Sequence, residues 1–201
     1  MMSGDSVALQ SLTLYVIRHG ECEHNVAGRA ASQNDSPLTE RGREQARANG
    51  RLLREIAAPL DRFRFFASPL HRTCMTMEIV RDAAGLPPTF YLADRRLMEI
   101  DFGDHTWMTR EEIGADAQAA FLADPWNYTR PNGESQAMLF ARVGRFLATL
   151  SGDAVIVTHA WSARMIRSHY LGLPPAVTVR YDAPHAGILR LSQGTEAAFG
   201  D

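Results

Sequence analysis

Residues 12–20 read Leu-Thr-Leu-Tyr-Val-Ile-Arg-His-Gly, and this stretch decides the fold. Leu12 to Ile17 is a short, nearly continuous apolar run, too short to be a helix of ordinary length. Such a run suits a strand covered on both faces, as in a parallel sheet, whereas alternation would mark a strand with one wet face. It ends abruptly in Arg18-His19-Gly20. Two more stretches behave alike: Arg62 to Ala67 is stopped by Ser68-Pro69, and Ala154-Val155-Ile156-Val157 is stopped by Thr158-His159. Weaker strand candidates are Thr89 to Leu92, Val177 to Tyr181 and Gly187 to Leu191.

Helical patterns lie between these runs. Thr39 to Ala57 opens on a capping residue and places Ala46, Leu53 and Ile56 at helical intervals. Leu70 to Ala84 follows Pro69 and stops at Gly85. Ser135 to Leu150 carries Leu139, Val143, Phe146 and Leu150 on one face. Ala160 to Leu171 ends before Gly172 and Pro174. Strands alternating with helices predict an α/β fold, a three-layer α/β/α sandwich with a mostly parallel central sheet. With neither repeat nor linker in view, residues 1–201 read as a single domain.

Composition narrows the class. A chain of 201 residues that is 45% hydrophobic, with three Trp, five Tyr and nine Phe, can bury one substantial core. No apolar run approaches the roughly 20 residues of a spanning helix, and the start lacks a basic, then apolar, secretory pattern. No membrane association and a cytoplasmic location are the expectations. The net charge of −2 gives no cationic field for nucleic acid. All 21 basic residues are Arg, a bias that a GC-rich coding sequence explains without function. Cys22 and Cys74 lack CxxC or zinc-like spacing, so neither a disulfide nor a zinc site is expected.

In sheets of this kind ligands bind beyond the carboxyl ends of the strands. The three best strands deliver Arg18 and His19, then Ser68 with Arg72 close behind, then His159. A single His or Arg at a strand end is ordinarily packed or solvated. Three strand ends with this chemistry outweigh that reading. At one edge of the sheet they would form a cationic, donor-rich pocket suited to a phosphoryl dianion, because arginine forks match phosphate oxygens. Gly20 lets backbone amides approach a ligand closely, and a helix starting there would add its positive end.

These residues resemble the histidine phosphatase superfamily, in its phosphoglycerate mutase-like branch. Arg18-His19-Gly20-Glu21-Cys22-Glu23-His24-Asn25 is similar to the family's signature. The resemblance continues through Asp35 to Gly42, Ser68-Pro69-Leu70-His71-Arg72 with Thr76, Leu97 to Gly103, Asn132-Gly133-Glu134-Ser135 and Val157-Thr158-His159. It implies that His19 is the nucleophile forming a phosphohistidine, and that Glu99 protonates the leaving oxygen and then activates water. It also implies that Arg18, Arg72 and His159 hold the phosphoryl oxygens, with Asn25 donating another hydrogen bond. Two displacements through a covalent intermediate make hydrolysis easier than one, and the cationic groups act as preorganised charge. The scheme calls for neither metal nor cofactor. Glu21, Glu23 and His24 are expected at the pocket edge or surface rather than around a metal.

Departures from the family pattern sharpen the expectation. After Phe102-Gly103 the family usually shows Trp-Glu-Gly, whereas this chain has Asp104-His105-Thr106-Trp107-Met108. Met75 replaces a common Gln, and Ala160-Trp161 replaces small glycines. Trp161 is expected to pack into its helix, with stacking on substrate as the alternative. Ala31-Ser32 stands where the mutases carry a Thr-Gly pair. His159 follows Glu99 by only 60 positions, short of the insertion that cofactor-dependent mutases use to enclose their substrate. The expected function is a phosphomonoesterase acting on small phosphorylated metabolites. An α-ribazole-phosphate phosphatase is not separable from it by motif layout, and a cofactor-dependent phosphoglycerate mutase is the runner-up on chemistry. A non-catalytic phospho-ligand module is disfavoured because His19 and Glu99 are both present. Whether the chain forms a homo-oligomer is left open.

Overall fold

The central sheet has the strand order β3-β2-β4-β1-β5-β6 in a computed structural model that describes residues 9–180 and 183–200. The strands are β1 (Leu14–Arg18), β2 (Arg64–Ala67), β3 (Leu92–Ala93), β4 (Ala154–Thr158), β5 (Ile188–Ser192) and β6 (Thr195–Phe199). Pairs β1/β4, β2/β4 and β2/β3 are parallel, and β1/β5 and β5/β6 are antiparallel. The α/β class and the mostly parallel sheet therefore stand as the sequence predicts.

The continuous apolar run of β1 serves two cores at once. Leu14 and Val16 point to one, which is completed by α6 (Gln136–Leu147) and α7 (Ala160–Leu171) through Leu139, Val143, Phe146, Met165 and Ile166. Tyr15 and Ile17 point to the other, built on α2 (Glu40–Ala57) and α3 (His71–Ala83) through Ala46, Leu53, Met77 and Val80. Each fully buried Leu, Ile or Val on these faces contributes about 1.5–3 kcal/mol of transfer free energy. Thr39 caps α2 by accepting the Gly42 N–H at 3.0 Å, and Ser135 caps α6 by accepting that of Met138 at 3.2 Å. Gly172, in the left-handed conformation at φ 65°, ends α7.

Three local expectations change. The residues after Gly20 form only a one-turn helix, α1 (Glu23–Val26), too short to bring a substantial dipole. The edge strand β3 starts at Leu92, so Thr89 to Tyr91 are not strand. The candidate strand Val177 to Tyr181 is a helix at its start, α8 (Pro175–Thr178), and Tyr181 lies outside the described residues. Proline at the first helical position, where its missing N–H costs nothing, outweighs the β-branched Val177 and Thr178. Between β3 and β4 two further helices, α4 (Arg110–Ile113) and α5 (Ala115–Ala123), reach over the strand ends, with Phe121 against Trp161 at 6.2 Å between ring centroids.

Candidate active site

Register alone brings the strand ends together. Arg18 pairs with Thr158 and Ala67 with Val157. The next residues continue the ladder: the His19 N–H donates to the Thr158 carbonyl at 2.9 Å, and that of Ser68 to the Val157 carbonyl at 3.1 Å. His19, Ser68 and His159 are thereby neighbours, with the His19 and His159 rings 5.2 Å apart. A cleft of about 140 Å³ opens beside them, lined by Arg18, His19, Asn25, Arg72 and Glu99 among others. His159 is fully buried against His19 rather than in this lining. The six residues singled out in the sequence thus gather at one end of the sheet.

Each group is held in a definite chemical state. His19 Nδ1 lies 2.8 Å from the Gly20 carbonyl, which fixes the proton on Nδ1 and leaves Nε2 with its lone pair. Burial first, then the Arg72 and Arg18 charges, hold this imidazole well below its ordinary pKa, so it is neutral near pH 7. His159 Nε2 meets Ser68 Oγ at 2.8 Å, and the Leu70 N–H donates to that same oxygen at 3.4 Å. His159 Nδ1 is buried without a partner, and burial holds this ring well below its ordinary pKa as well.

Arg72 is 1% exposed and braces the site as well as charging it. Its Nη1 donates to the Asn34 carbonyl at 2.6 Å and its Nη2 to the Ser32 carbonyl at 2.7 Å, while Nε is buried without a partner. Ser32, at φ 55°, ties the same loop to the acid segment by accepting the Phe102 N–H at 2.8 Å. Arg18 donates to the Ala183 carbonyl at 2.6 Å. The Glu99 carboxylate accepts the Ile100 N–H at 3.0 Å and the Trp161 N–H, in the first turn of α7, at 3.4 Å. Burial nonetheless dominates and raises its pKa above the usual carboxylate value, despite the two arginines. A raised carboxylic acid facing a lowered imidazole is the division of labour that acid–base chemistry requires.

Close backbone approach sets this loop. A Cβ on Gly20 would stand 2.2 Å from the Gly42 carbonyl oxygen, and one on Gly42 would stand 2.1 Å from that of Glu21. Only glycine at both places lets the chain after His19 lie on the start of α2.

His24 lies at the pocket edge, as expected, and is buried there: it lines the cleft, and burial lowers its pKa to about 4. Asn25 Nδ2 stands 3.0 Å from His24 Nε2 while Asn25 Oδ1 accepts the Cys22 N–H at 3.0 Å, so the amide is tied locally. Glu21 braces α2 through Thr39 at 2.8 Å, and Glu23 is exposed. Trp161 lines the cleft and packs edge-on to Phe102 at 6.1 Å. Cys22 and Cys74 are free thiols, and burial pushes Cys22 up to about 12, which makes it inert. Sequence reasoning missed His185, whose Nδ1 lies 2.9 Å from the His19 carbonyl and whose ring is 5.4 Å from that of His19. No motif marks it, since it arrives in a loop before β5. Among the described residues no group of three or more His, Cys, Asp or Glu is gathered as for a metal, and no helix is long and apolar enough to cross a membrane.

Known proteins share this layout. “Probable phosphoglycerate mutase GpmB” of Erwinia tasmaniensis is 31% identical over 188 residues, covering 90% of this chain and 84% of that one. The alpha-ribazole phosphatase from Shigella flexneri is 26% identical, with a TM-score of 0.77 over 94% of this chain and 95% of its own. A mycobacterial glucosyl-3-phosphoglycerate phosphatase, solved with VO3, is 28% identical with a TM-score of 0.77 over 95% and 98%. The profile of the histidine phosphatase superfamily (branch 1) matches residues 14–198. This chain is a member of that superfamily.

Proposed function

We infer that the protein hydrolyses phosphomonoesters of small metabolites, with His19 as the nucleophile and Glu99 as the proton donor. The observation that carries this reading is the pairing of a neutral His19, its Nε2 lone pair free, with the buried carboxyl group of Glu99, whose pKa burial raises, in one cationic cleft. His19 Nε2 attacks phosphorus and the P–O bond to the alcohol breaks. Glu99 delivers its proton to the departing oxygen, leaving a phosphohistidine and a carboxylate. Water then attacks phosphorus, Glu99 takes its proton, and inorganic phosphate leaves with His19 restored. Arg18, Arg72 Nε and His159 Nδ1 supply positive charge and donors for the three equatorial oxygens, and Asn25 donates once its amide turns from His24. The buried, partnerless Arg72 Nε and His159 Nδ1 support this assignment, because a phosphoryl group would satisfy both.

A mutase reading draws support from the relatives that are named as probable phosphoglycerate mutases. Against it stands the short span between Glu99 and His159, of which α4 and α5 are the main addition over the site. The α-ribazole and glucosyl-3-phosphoglycerate phosphatases among the solved neighbours favour hydrolysis. The working place inferred is the cytoplasm, with free metabolites as substrates. Incubation with ethyl phosphate and with 3-phosphoglycerate, scored for inorganic phosphate and for transferred phosphoryl groups, tests the reading. Release of phosphate by the wild type and none by His19→Ala is expected. Transfer between glycerate positions without release would establish the mutase instead.

A further inference from the structure

Beside the phosphoryl cleft lies a second chamber of about 340 Å³, and the two share Phe102 and Trp161 as a common wall. We propose that this chamber receives the alcohol half of the substrate, and that the preferred esters are monophosphates of apolar alcohols rather than of polyols. The proposal rests on the phosphatase reading above and adds a substrate class to it.

The wall is a matter of chain connectivity. Glu99 stands three residues before Phe102, and its Oε2 accepts the backbone N–H of Trp161 at 3.4 Å. An alcohol oxygen receiving its proton from Glu99 therefore leaves at the boundary between cleft and chamber. The far side is supplied by α4 and α5 through Ile113 and Phe121. No residue of α5 is buried, although the helix is mostly apolar. Protein interiors are ordinarily close-packed, so an unfilled space bordered by Phe102, Phe121, Tyr128 and Trp161 is a site awaiting apolar contacts. Its volume is at the lower end for small-molecule pockets.

Arg110, Gln118 and Arg130, three of the polar side chains around the chamber, are already engaged within the protein, which leaves His105 and Tyr128 as its other polar groups. Arg110 Nε donates to Gln118 Oε1 at 3.0 Å, and Gln118 Nε2 donates to the Arg110 carbonyl at 2.6 Å. Arg130 is buried, stacks over Phe102 at 4.4 Å and Trp161 at 5.1 Å, and donates to the Glu134 carbonyl at 3.0 Å. No carboxylate lines the chamber to grip hydroxyl groups. A polyol would surrender its bonds to water and recover few, which is costly. An alkyl or aryl group loses nothing and gains contact with ring faces.

A homologous series of primary alkyl phosphates, ethyl to hexyl, keeps leaving-group basicity nearly constant while apolar area grows. The kcat/KM should rise about fourfold per methylene until the chamber is full, or roughly 10²-fold across the series. Binding of the matching alkylphosphonates, measured by calorimetry, should show the same slope without requiring turnover. Phe121→Asp and Ala117→Trp, on a helix that supports no core, should each cut the hexyl-to-ethyl ratio at least tenfold, the first by charging the chamber and the second by filling it. A phosphonate slope with no ester hydrolysis would leave the chamber standing and refute the phosphatase reading. A flat phosphonate series, a ratio unchanged in both variants, or a preference for glycerol 3-phosphate over butyl phosphate would each overturn the proposal.

Discussion

Replacing Arg72 with lysine keeps the charge and removes the fork, and the structure predicts two separate losses. The first is structural. The buried Ser32 carbonyl receives Arg72 Nη2 at 2.7 Å while Nη1 reaches the Asn34 carbonyl at 2.6 Å. One ammonium on a flexible stem cannot hold both positions and also face the cleft. A buried carbonyl left without its donor costs about 1–3 kcal/mol. For a chain of this size each kcal/mol moves Tm by about 2–4 °C, so a fall of roughly 2–12 °C is expected. The second loss is of ligand. A hydrogen bond to a charged group is worth about 1.5–3 kcal/mol, so vanadate affinity should drop by roughly 10- to 100-fold. Thermal melting with and without vanadate reads both, because a ligand that binds only the folded state raises Tm according to its Kd. A lower Tm with a diminished vanadate shift is the predicted pair. An Arg72→Lys protein that melts like the wild type and keeps its vanadate shift would refute both roles.

Two further perturbations bear on the chemistry. Glu99→Gln keeps the shape and removes the proton, so alkyl phosphate hydrolysis should slow by roughly 10²-fold or more, while the nitrophenolate burst from p-nitrophenyl phosphate should suffer far less. The basic limb of the wild-type pH profile, where the raised Glu99 acid ionises, should vanish in the same variant; equal losses for both substrates would leave Glu99 a positioning residue. His19, His24, His159 and His169 are all held below the ordinary histidine value, so unfolding takes up protons and stability should be full above about pH 6.5 and fall below it. For His24 the loss continues to about pH 4. Glu99, raised by burial, works the other way and offsets part of it. Calorimetric Tm values at pH 7.5 and 5.5 check the sign, and a Tm that rose on acidification would contradict the burial of these rings.

Much of this architecture is legible in the chain because β1, β2 and β4 carry two-sided apolar runs that end in polar residues. Thr39 and Ser135 mark their helices for the same reason that they cap them. The acid segment is legible only through motif resemblance, since Glu99 owes its raised pKa to burial contributed by distant residues. The covering helices are harder to read. Ala115–Ala123 is alanine-rich all round and has no apolar stripe, so periodicity is silent there. Strand β6 carries no apolar run to mark it, although Gln193 and Gly194, at φ 50° and 71°, make the two-residue turn that its hairpin needs. The dual use of Arg72 could not be read at all. Its partners are carbonyls of a loop some 40 positions earlier, and backbone atoms leave no trace in residue type.

The central claim is a covalent phosphoryl group on His19. Brief reaction with radiolabelled p-nitrophenyl phosphate, whose leaving group needs no proton from Glu99, an alkaline quench, and peptide mapping by mass spectrometry address it directly. The account predicts an acid-labile phosphohistidine on the peptide holding His19, accumulating in Glu99→Gln because the water step is slowed, and absent from His19→Ala. An adduct on another residue that persists in His19→Ala, or turnover by that variant at the wild-type rate, would contradict it.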